Sequence, residues 1–466
     1  MKKILLFCLL IFAWISTNAQ VTTSSLSGQI SDDQNGQLLG AVVIATHTPS
    51  GTEYATTTLE NGRFTIPDMR VGGPYTIEVS YVGFKSQKLE NVFLDLGKRK
   101  NVDFKLMAES QTLDEVVISA NQGGIFDKHK TGAATNINRE QISELPTLSR
   151  SASDYTRLNP MSAEGGSFGG RNDQFNNYSV NGTVFNNPFG LDAATPGGQT
   201  DAQPISLDAI DQIQVSIAPY DVLQSGFTGA AVNAVTKSGT NKFEGTVFGF
   251  FNNSDLIGGK VKQTSVNKGD LTNTQYGFAL GGPIIKDKAF FFANLELQNR
   301  KDLGSYFLPN SGTTGSNISR VLESDLILVS KLLKDNFGYE TGAYKDFYHK
   351  SNNMKGILRL DFNIAKNHKL SASYNFLDAF KDKPAHPSAI GARGPSLQTL
   401  QFQNSGYRIN NKLHSGIVEL KSVFGSRYSN KLQATYTAFR DSRDPFSAPF
   451  PVLNIGKDGS RYIIAG

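Results

Sequence analysis

The stretch GILRLDFNIAKNHKLSASYNF, residues 356–376, decides the fold because two strand patterns meet in it across a short turn. In its first half Leu358, Leu360 and Phe362 are separated by polar residues, and the second half repeats this alternation. Successive side chains of a strand point to opposite faces of a sheet, so a period of two predicts one apolar and one polar face. The stretch therefore predicts two antiparallel strands that are joined at 365–369.

Further strand patterns follow residue 242, and the lengths of the connections between them are informative. The predicted strands are 242–251, 274–284, 289–298, 356–364, 370–376, 415–424 and 430–440. The connections alternate between short turns and long polar loops, the turns being 286–288, 365–369 and 425–429 and the loops 252–273, 299–355 and 377–414. Outer-membrane β-barrels have short turns on one side and long loops on the other. We therefore expect residues 240–466 to form the first strands of a transmembrane antiparallel β-barrel, with a soluble all-β fold as the alternative.

The N-terminus has the features of a secretory signal peptide. Two lysines precede an apolar run over 4–14, and Ala19 provides a small residue at the cleavage position. This order predicts a signal peptide over residues 1–19, whereas the alternative, a membrane anchor, would need about 20 apolar residues. Cys8, the single cysteine, lies within this segment, so we expect no disulfide and no cysteine metal site in the mature chain.

The charges of the chain argue against nucleic acid as a partner. The formal net charge of +5 becomes +3 without the two lysines of the signal peptide, and the charged residues form no basic stripe. Glycine occurs 45 times and phenylalanine 31 times, while apolar patterns of helical period are few. The composition therefore indicates a mainly β protein.

Residues 20–110 are predicted to form an immunoglobulin-like β-sandwich. The apolar run 41–45 predicts a buried strand, and Tyr75 and Ile77 alternate with polar residues in another. Short strands separated by turns about every 8–12 residues are typical of such sandwiches. Asn61-Gly62 adds a hairpin signal, because both residues tolerate positive φ.

The chain changes character after the sandwich. Residues 111–120, QTLDEVVISA, contain one short apolar strand pattern between polar flanks. Residues 121–239 combine two short helical patterns that end before prolines, a strand at 212–216, and long loops rich in asparagine and glycine. Ser206 is placed to cap a helical turn in this region. We expect a compact α+β domain here.

The strand count bears on the extent of the chain. Seven strands cannot close a barrel whose strand number is normally even, and an open edge in lipid leaves backbone groups unsatisfied. We therefore expect the sequence to be incomplete at its C-terminus.

The order of these parts resembles TonB-dependent receptors of the Oar-like, Bacteroidetes type. The sandwich resembles a carboxypeptidase regulatory-like domain through SGQISDD at 27–33, LLGAVVIA at 38–45, ENGRFTIPD at 60–68 and YTIEVSYVGF at 75–84. The plug domain of such receptors is matched by ISELP at 142–146, YSVNG at 178–182, SLDAIDQIQV at 206–215 and VNAVTKSGT at 232–240. Barrel phrases of this type are FEGTVFGFFNN at 243–253 and GGPIIKDKAFFFANLE at 281–296. Asn181 departs from the pattern, because many relatives carry Asp there.

The resemblance implies a segment that contacts the TonB protein of the inner-membrane energy complex. LDEVVISA at 113–120 resembles this TonB box, and its candidate contact residues are Asp114, Glu115, Val116, Val117 and Ile118. An extended β-branched segment can add as a strand to the sheet edge of a partner. The alternative is that this segment is the last strand of the sandwich or a linker strand.

No catalytic or metal site emerges from the sequence. The glycine cluster 165–171 lacks the strand before it and the Lys-Ser or Lys-Thr after it that a phosphate-binding loop requires. The six histidines are dispersed without zinc-ligand spacing. We therefore expect neither an enzyme nor a cofactor.

The leading hypothesis is energised import across the outer membrane, with the sandwich in the periplasm and barrel strands in contact with outer-membrane lipid. The loops 165–177, 186–203, 299–355 and 377–414 would contact an extracellular ligand, which could be a glycan, a peptide or a chelate. The resemblance also implies that the sandwich has a carbohydrate-binding-like fold. The alternative is a surface adhesin or structural β-protein without energy coupling.

Overall fold

The computed structural model describes residues 21–109, 116–119, 133–147, 150–163, 166–186, 195–217, 219, 224, 226–265, 268–385 and 394–466. The predicted signal peptide lies outside these ranges, as do Asp114 and Glu115. Across the described residues strands predominate, and they form a sandwich, an α+β unit and a seven-stranded antiparallel sheet, which confirms the predicted fold class. Within the same ranges, no helix is both long enough and apolar enough to cross a membrane.

The N-terminal sandwich is built from eight short strands. They are β1 Ser24–Asp32, β2 Val42–His47, β3 Thr52–Thr57, β4 Arg63–Met69, β5 Gly72–Ser80, β6 Gln87–Leu94, β7 Arg99–Asn101 and β8 Phe104–Leu106. One sheet contains β4, β1, β7 and β8, and the other has the order β3-β2-β5-β6. Leu26, Ile30, Tyr75 and Ile77 are fully buried between the sheets, as their alternation with polar neighbours requires.

The turn at Asn61-Gly62 connects the two sheets, so the hairpin predicted there was wrong. Strand β3 pairs with β2 and β4 pairs with β1, and only Gly62 has a positive φ, of 68°. The reason is burial: Tyr54 and Phe64 are 7% and 2% exposed in one core, to which the two strands contribute from opposite sheets. A hairpin would have placed both strands in the same sheet.

The described residues between 133 and 240 form an α+β unit, called the plug unit below. Its elements are β10 Ala133–Ile137, α1 Arg139–Glu144, α2 Ala152–Thr156, β11 Asn177–Val180, β12 Thr183–Val184, β13 Ile210–Ile217 and β14 Ala231–Thr236. Asn138 and Ser151 cap the two helices in capping boxes with Gln141 and Asp154. Strands β13 and β14 lie at the centre of the sheet order β10-β13-β14-β11-β12, and β14 is buried along its whole length.

The C-terminal half forms a meander of long strands, called the barrel sheet below. Its strands are β15 Glu244–Asn253, β18 Leu271–Ile285, β19 Ala289–Leu303, β22 Tyr348–Ala365, β23 His368–Lys383, β25 Tyr407–Phe424 and β26 Tyr428–Pro445. Each pairs antiparallel with the next. The short connections 286–288, 366–367 and 425–427 mark its turn end, and the long connections mark its loop end. The seven predicted strands are all present, but most extend several residues into the predicted loops.

The two faces of the barrel sheet differ as the alternation predicts. Ile357 and Ile417 are 4% and 6% exposed on the face against the plug unit, while Leu358 and Val418 are 48% and 49% exposed on the other. An apolar outward face of this kind suits contact with lipid.

The loop end carries more structure than the sequence indicated. Its elements are β16 Lys260–Val261, β17 Thr264–Ser265, β20 Leu308–Asn310, β21 Ile318–Leu322, α3 Glu323–Phe337, β24 Leu400–Gln401, β27 Leu453–Lys457 and β28 Ser460–Ala465. The region 299–355 was expected to be a polar loop, yet it holds the 15-residue helix α3. Helix α3 buries Leu326 and Leu333, which are seven residues apart and therefore on one face.

Candidate functional site

The predicted TonB box lies at the edge of the sandwich. Val116, Val117 and Ile118 belong to β9 Val116–Ser119, whereas Asp114 and Glu115 lie outside the described residues. Strand β9 pairs in parallel with β6, opposite residues 87–90, and extends the sheet to β3-β2-β5-β6-β9. The backbone of the segment is thus extended, as strand addition to a partner requires, and it pairs with β6 of the same chain. Both readings of the sequence, a coupling strand and a last sandwich strand, remain compatible with this position.

The plug unit is attached to the barrel sheet through a buried carboxylate. Glu296 of β19 is fully buried, and Lys355 Nζ lies 2.8 Å from its Oε1. Gln275 Nε2 donates to the same oxygen over 2.6 Å, and Ser206 Oγ of the plug unit donates to Oε2 over 2.5 Å. Ser206 precedes a 3-10 turn, Leu207–Ala209, but its side chain makes no capping bond there, so the predicted capping role was wrong. The hydroxyl binds the barrel wall instead because a buried carboxylate is the stronger acceptor.

Polar contacts continue along the inner face of the barrel sheet. Arg359 forms an ion pair with Asp361 over 2.9 Å and donates from Nη1 to the carbonyl oxygen of Thr236 over 3.1 Å. Nearer the loop end, Asn375 Nδ2 donates to the carbonyl oxygen of Pro204 over 3.0 Å. These contacts hold both ends of the plug unit against the wall.

Apolar and aromatic contacts fill the space between the polar ones. Ile213 and Phe185 of the plug unit are buried in one cluster with Phe292 and Leu413 of the barrel sheet. The guanidinium of Arg150 lies 4.1 Å from the ring centre of Phe248 and 4.7 Å from that of its neighbour at 250. The plug unit is therefore packed into the concave face of the sheet as a single body.

The hairpin at Asn181 explains why an amide is tolerated at this position. Asn181 and Gly182 both have positive φ, 49° and 79°, as a two-residue turn requires. Asn181 Oδ1 accepts from the backbone N of Thr236 over 3.0 Å, while Nδ2 donates to Thr236 Oγ1 over 2.9 Å. An Asp side chain at position 181 would also accept the hydrogen bond from the backbone N of Thr236. Only Asn donates from its side-chain amide to Thr236 Oγ1.

Two connections at the loop end and the segment that follows β26 form one folded body, called the loop module below. It consists of 304–347, 394–406 and 446–466, and its core contains Leu326, Phe402 and Ile463. Strand β24 pairs with β28, which pairs with β27, so the module has its own three-stranded sheet. The predicted ligand loops 299–355 and 377–414 both contribute to it.

Ionic contacts tie the surface of the loop module together. Tyr462 Oη donates to Asp325 Oδ2 over 2.8 Å, and this hydrogen bond lowers the pKa of the Asp325 carboxyl. Lys345 Nζ donates to Glu323 Oε1 over 2.6 Å and lowers the pKa of that carboxyl in the same way. Helix α3 is thereby fixed at its first turn, where acidic side chains also favour the helix dipole.

The outer face of α3 is apolar. Ile327, Leu328 and Leu332 are each about half exposed, and Phe337 is 68% exposed. Among the described residues, no group of three or more His, Cys, Asp or Glu side chains is arranged to hold a metal ion. The module thus presents an exposed apolar surface at the loop end of the sheet.

Comparisons with known proteins agree with this architecture. The family profile of the carboxypeptidase regulatory-like domain matches residues 25–107, and that of the outer membrane beta barrel domain matches residues 235–324. The TonB-dependent transporter Oar of Myxococcus xanthus is 25% identical over 377 residues, covering 76% of this chain and 33% of Oar. The chain thus spans about a third of the length of that relative.

Two solved structures resemble part of the chain at low sequence identity. The outer membrane transporter YddB from Escherichia coli has a TM-score of 0.46 at 13% identity, covering 66% of this chain and 39% of its own. The siderophore receptor PirA from Pseudomonas aeruginosa has a TM-score of 0.41 at 14% identity, covering 67% and 42%. The chain thus contains a carboxypeptidase regulatory-like domain followed by an outer membrane beta barrel domain, and it is similar to the TonB-dependent transporter Oar over 76% of its length.

Proposed function

We propose that the protein imports a ligand across the outer membrane and that the TonB protein supplies the energy through residues 114–118. The observation that carries this proposal is the plug unit, which is packed against the inner face of the barrel sheet by polar contacts to Ser206, Thr236 and Pro204. A plugged lumen gives no passage by itself, so an energised partner must rearrange the plug. The extended strand that precedes the plug unit is the place where such a partner would bind.

The two faces and two ends of the barrel sheet support an orientation. The outward side chains such as Leu358 and Val418 face lipid, and the turn end faces the periplasm, because short turns of these barrels are periplasmic. The sandwich and β9 are then on the side where TonB acts. The loop module is on the opposite side, where a glycan, a peptide or a chelate would arrive first.

Binding to TonB provides the test. The purified protein is titrated with the periplasmic domain of the host's TonB, and the variant Val117→Pro is compared with Gln122→Pro. Proline removes a backbone donor and fixes φ, both of which oppose strand addition. We expect Val117→Pro to weaken binding at least about tenfold, equivalent to about 1.4 kcal/mol, and Gln122→Pro to leave it unchanged.

The same pair of variants separates the proposal from its alternative. In cells, Val117→Pro should abolish ligand accumulation while its level in the outer membrane matches that of Gln122→Pro. Equal TonB binding by both variants would mean that 114–118 is not the coupling segment. Absence of any TonB binding by the natural protein would favour a surface adhesin.

A further inference from the structure

The sandwich is docked directly on the turn end of the barrel sheet. Asn363 Nδ2, close to the turn between β22 and β23, donates to Thr52 Oγ1 over 3.0 Å. Lys369 Nζ, on the other side of this turn, donates to the carbonyl oxygen of Glu53 over 3.0 Å and lies 3.9 Å from the ring centre of Tyr54. One edge of the sandwich therefore rests on the middle of the sheet.

The same docking extends to both outer strands of the sheet. The backbone N of Asn241, just before β15, donates to the carbonyl oxygen of Pro49 over 2.8 Å. At the other side, Lys431 Nζ of β26 donates to Thr22 Oγ1 over 2.8 Å, and the same hydroxyl lies 3.4 Å from Glu419 Oε2 of β25. The sandwich thus spans the width of the concave face at the turn end.

The sandwich also contacts the plug unit, mainly through backbone atoms. The side chain of Gln212 accepts from the backbone N of Leu96 over 2.8 Å and donates to the carbonyl oxygen of Leu94 over 3.1 Å. Gln214 Nε2 donates to the carbonyl oxygen of Leu96 over 2.8 Å. Two glutamines on β13, an inner strand of the plug unit, therefore bind the end of β6 and the segment that follows it.

The apolar part of this interface is small. Val71 and Leu96 of the sandwich are 2% and 0% exposed and pack with Val235 of the plug unit in a cluster of only three buried residues. Arg70 Nη1 and Nη2 each donate over 3.3 Å to backbone carbonyl oxygens in 238–239. Interfaces between domains that separate during function are of this mainly polar kind, whereas permanent interfaces have large apolar cores. The sandwich is therefore held in place by contacts that can be exchanged for water.

From this position we infer that the sandwich is a second gate of the transport path, in series with the plug unit and closed in this structure. The inference rests on the proposed function, because it assigns a role to the sandwich within the same import step. A ligand that passed the plug unit would meet the sandwich between the turns at 286–288, 366–367 and 425–427. Import then requires the sandwich to undock as well as the plug to rearrange.

Strand β6 connects this gate with the coupling segment. Its residues 87–90 pair with β9, and Leu94 at its end accepts the hydrogen bond from Gln212. A force on β9 therefore acts first on the strand that carries the docking contacts. The partner that remodels the plug would release the sandwich in the same movement.

The test measures the accessibility of a buried interface residue in the full-length protein. Val71→Cys places one thiol in the interface, Val82→Cys places one at a site that is 92% exposed, and Ala45→Cys places one in the sandwich core, at 0% exposure. Living cells are labelled with N-ethylmaleimide in their normal growth medium, with and without a proton uncoupler. We expect the thiol at 71 to react at least about threefold faster in energised cells, because labelling of a buried site follows the fraction of open molecules. The exposed and core thiols should react at the same rate in both conditions.

Two further variants make the outcome decisive. Combining Val71→Cys with Val117→Pro should remove the energy-dependent increase. A disulfide between Thr52→Cys and Asn363→Cys, which joins the sandwich to the barrel sheet, should also abolish the energy-dependent increase in labelling until a reductant is supplied. A control disulfide between Thr46→Cys and Thr76→Cys lies within the sandwich and should leave that increase unchanged. Equal labelling at 71 in energised and uncoupled cells, by a protein that still binds TonB, would overturn the gate. Loss of TonB binding would instead contradict the proposed function itself.

Discussion

The hydrogen bond between Ser206 and Glu296 allows a quantitative prediction about plug seating. Ser206 is 1% exposed, and its hydroxyl donates from the plug unit to this carboxylate. Ser206→Ala removes the donor to Glu296 Oε2, while Gln275 and Lys355 continue to contact Oε1. A hydrogen bond to a charged group contributes about 1.5–3 kcal/mol. The population of molecules with a loosened plug should therefore rise about 10- to 150-fold.

Hydrogen exchange of the full-length protein measures this population directly. The amides of β13, at 210–217, follow Ser206 closely and exchange only when the plug unit opens. In Ser206→Ala, the exchange rate of these amides should therefore increase about 10- to 150-fold. The matched control is Ser415→Ala, because Ser415 is equally buried at 1% but its hydroxyl pairs with Thr437 inside the barrel wall. That variant should leave the exchange of β13 unchanged.

A second substitution tests whether the carboxylate is the partner that matters. In a Glu296→Gln background the acceptor carries no charge, so Ser206→Ala should cost less there than in the natural protein. If Ser206→Ala left the exchange of β13 unchanged, or if Ser415→Ala accelerated it equally, the reasoning would be refuted. The plug would then be held by its apolar contacts with Phe292 and Leu413 instead.

Two further predictions concern the sandwich. Residues 20–110 expressed alone should form a soluble monomer that unfolds cooperatively. The reason is that residues such as Leu26 and Ile77 form a core that contains no barrel residue. Gel filtration and calorimetry measure this, and aggregation in either would contradict the prediction. Burial, followed by the charges of Arg70 and Arg139, lowers the pKa of His47 to about 2 from its usual 6.5, so the folded state disfavours the protonated ring. The unfolded chain gains that proton below pH 6.5, and stability should therefore be independent of His47 above this pH and fall by up to about 1.4 kcal/mol per pH unit below it. The measurement is urea unfolding of the isolated sandwich between about pH 7 and pH 5, with His47 and with His47→Phe. The free energy of unfolding should fall with pH in the protein that has His47 and not in His47→Phe.

The barrel sheet could be predicted from the sequence because its signal repeats at every second residue. The alternation around Leu358 is set by one buried and one exposed face of the sheet, and it can be read from each strand alone. The ends of the strands could not be predicted. Strands β22 and β23 continue through residues 348–355 and 377–383. Many side chains in these ranges are polar, so the alternation of apolar side chains fades although the backbone pairing continues.

The interfaces could not be predicted for a different reason. The docking of the sandwich depends on carbonyl oxygens of Pro49, Glu53, Leu94 and Leu96, and a backbone acceptor is present at every position of a chain. Only the glutamine side chains of β13 could have indicated it, because buried amides on a central strand need partners. Helix α3 was not predicted from the sequence. Its exposed surface carries apolar as well as polar residues, so the buried positions 326 and 333 do not stand out as a helical period.

The placement of the TonB box was only partly predictable. The strand character of Val116, Val117 and Ile118 follows from their β-branched side chains. The pairing of this strand with β6 does not follow from the sequence, because a short apolar strand fits any free sheet edge. Whether residues 114–118 bind TonB stays a prediction that the Val117→Pro experiment addresses.

The loop module has a consequence for how such proteins can diversify. Its core joins residues from two connections and from the segment after β26, since Leu326, Phe402 and Ile463 pack together and Leu400 is paired with Ile463. In most loop-bearing scaffolds, each loop can lengthen or shorten independently of the others during evolution. Here an insertion in one of these segments would displace residues contributed by the other two, so their lengths must change together. We therefore expect the module to evolve through substitutions on its outer surface, where Leu328 and Phe337 are exposed, while the lengths of the three segments stay coupled.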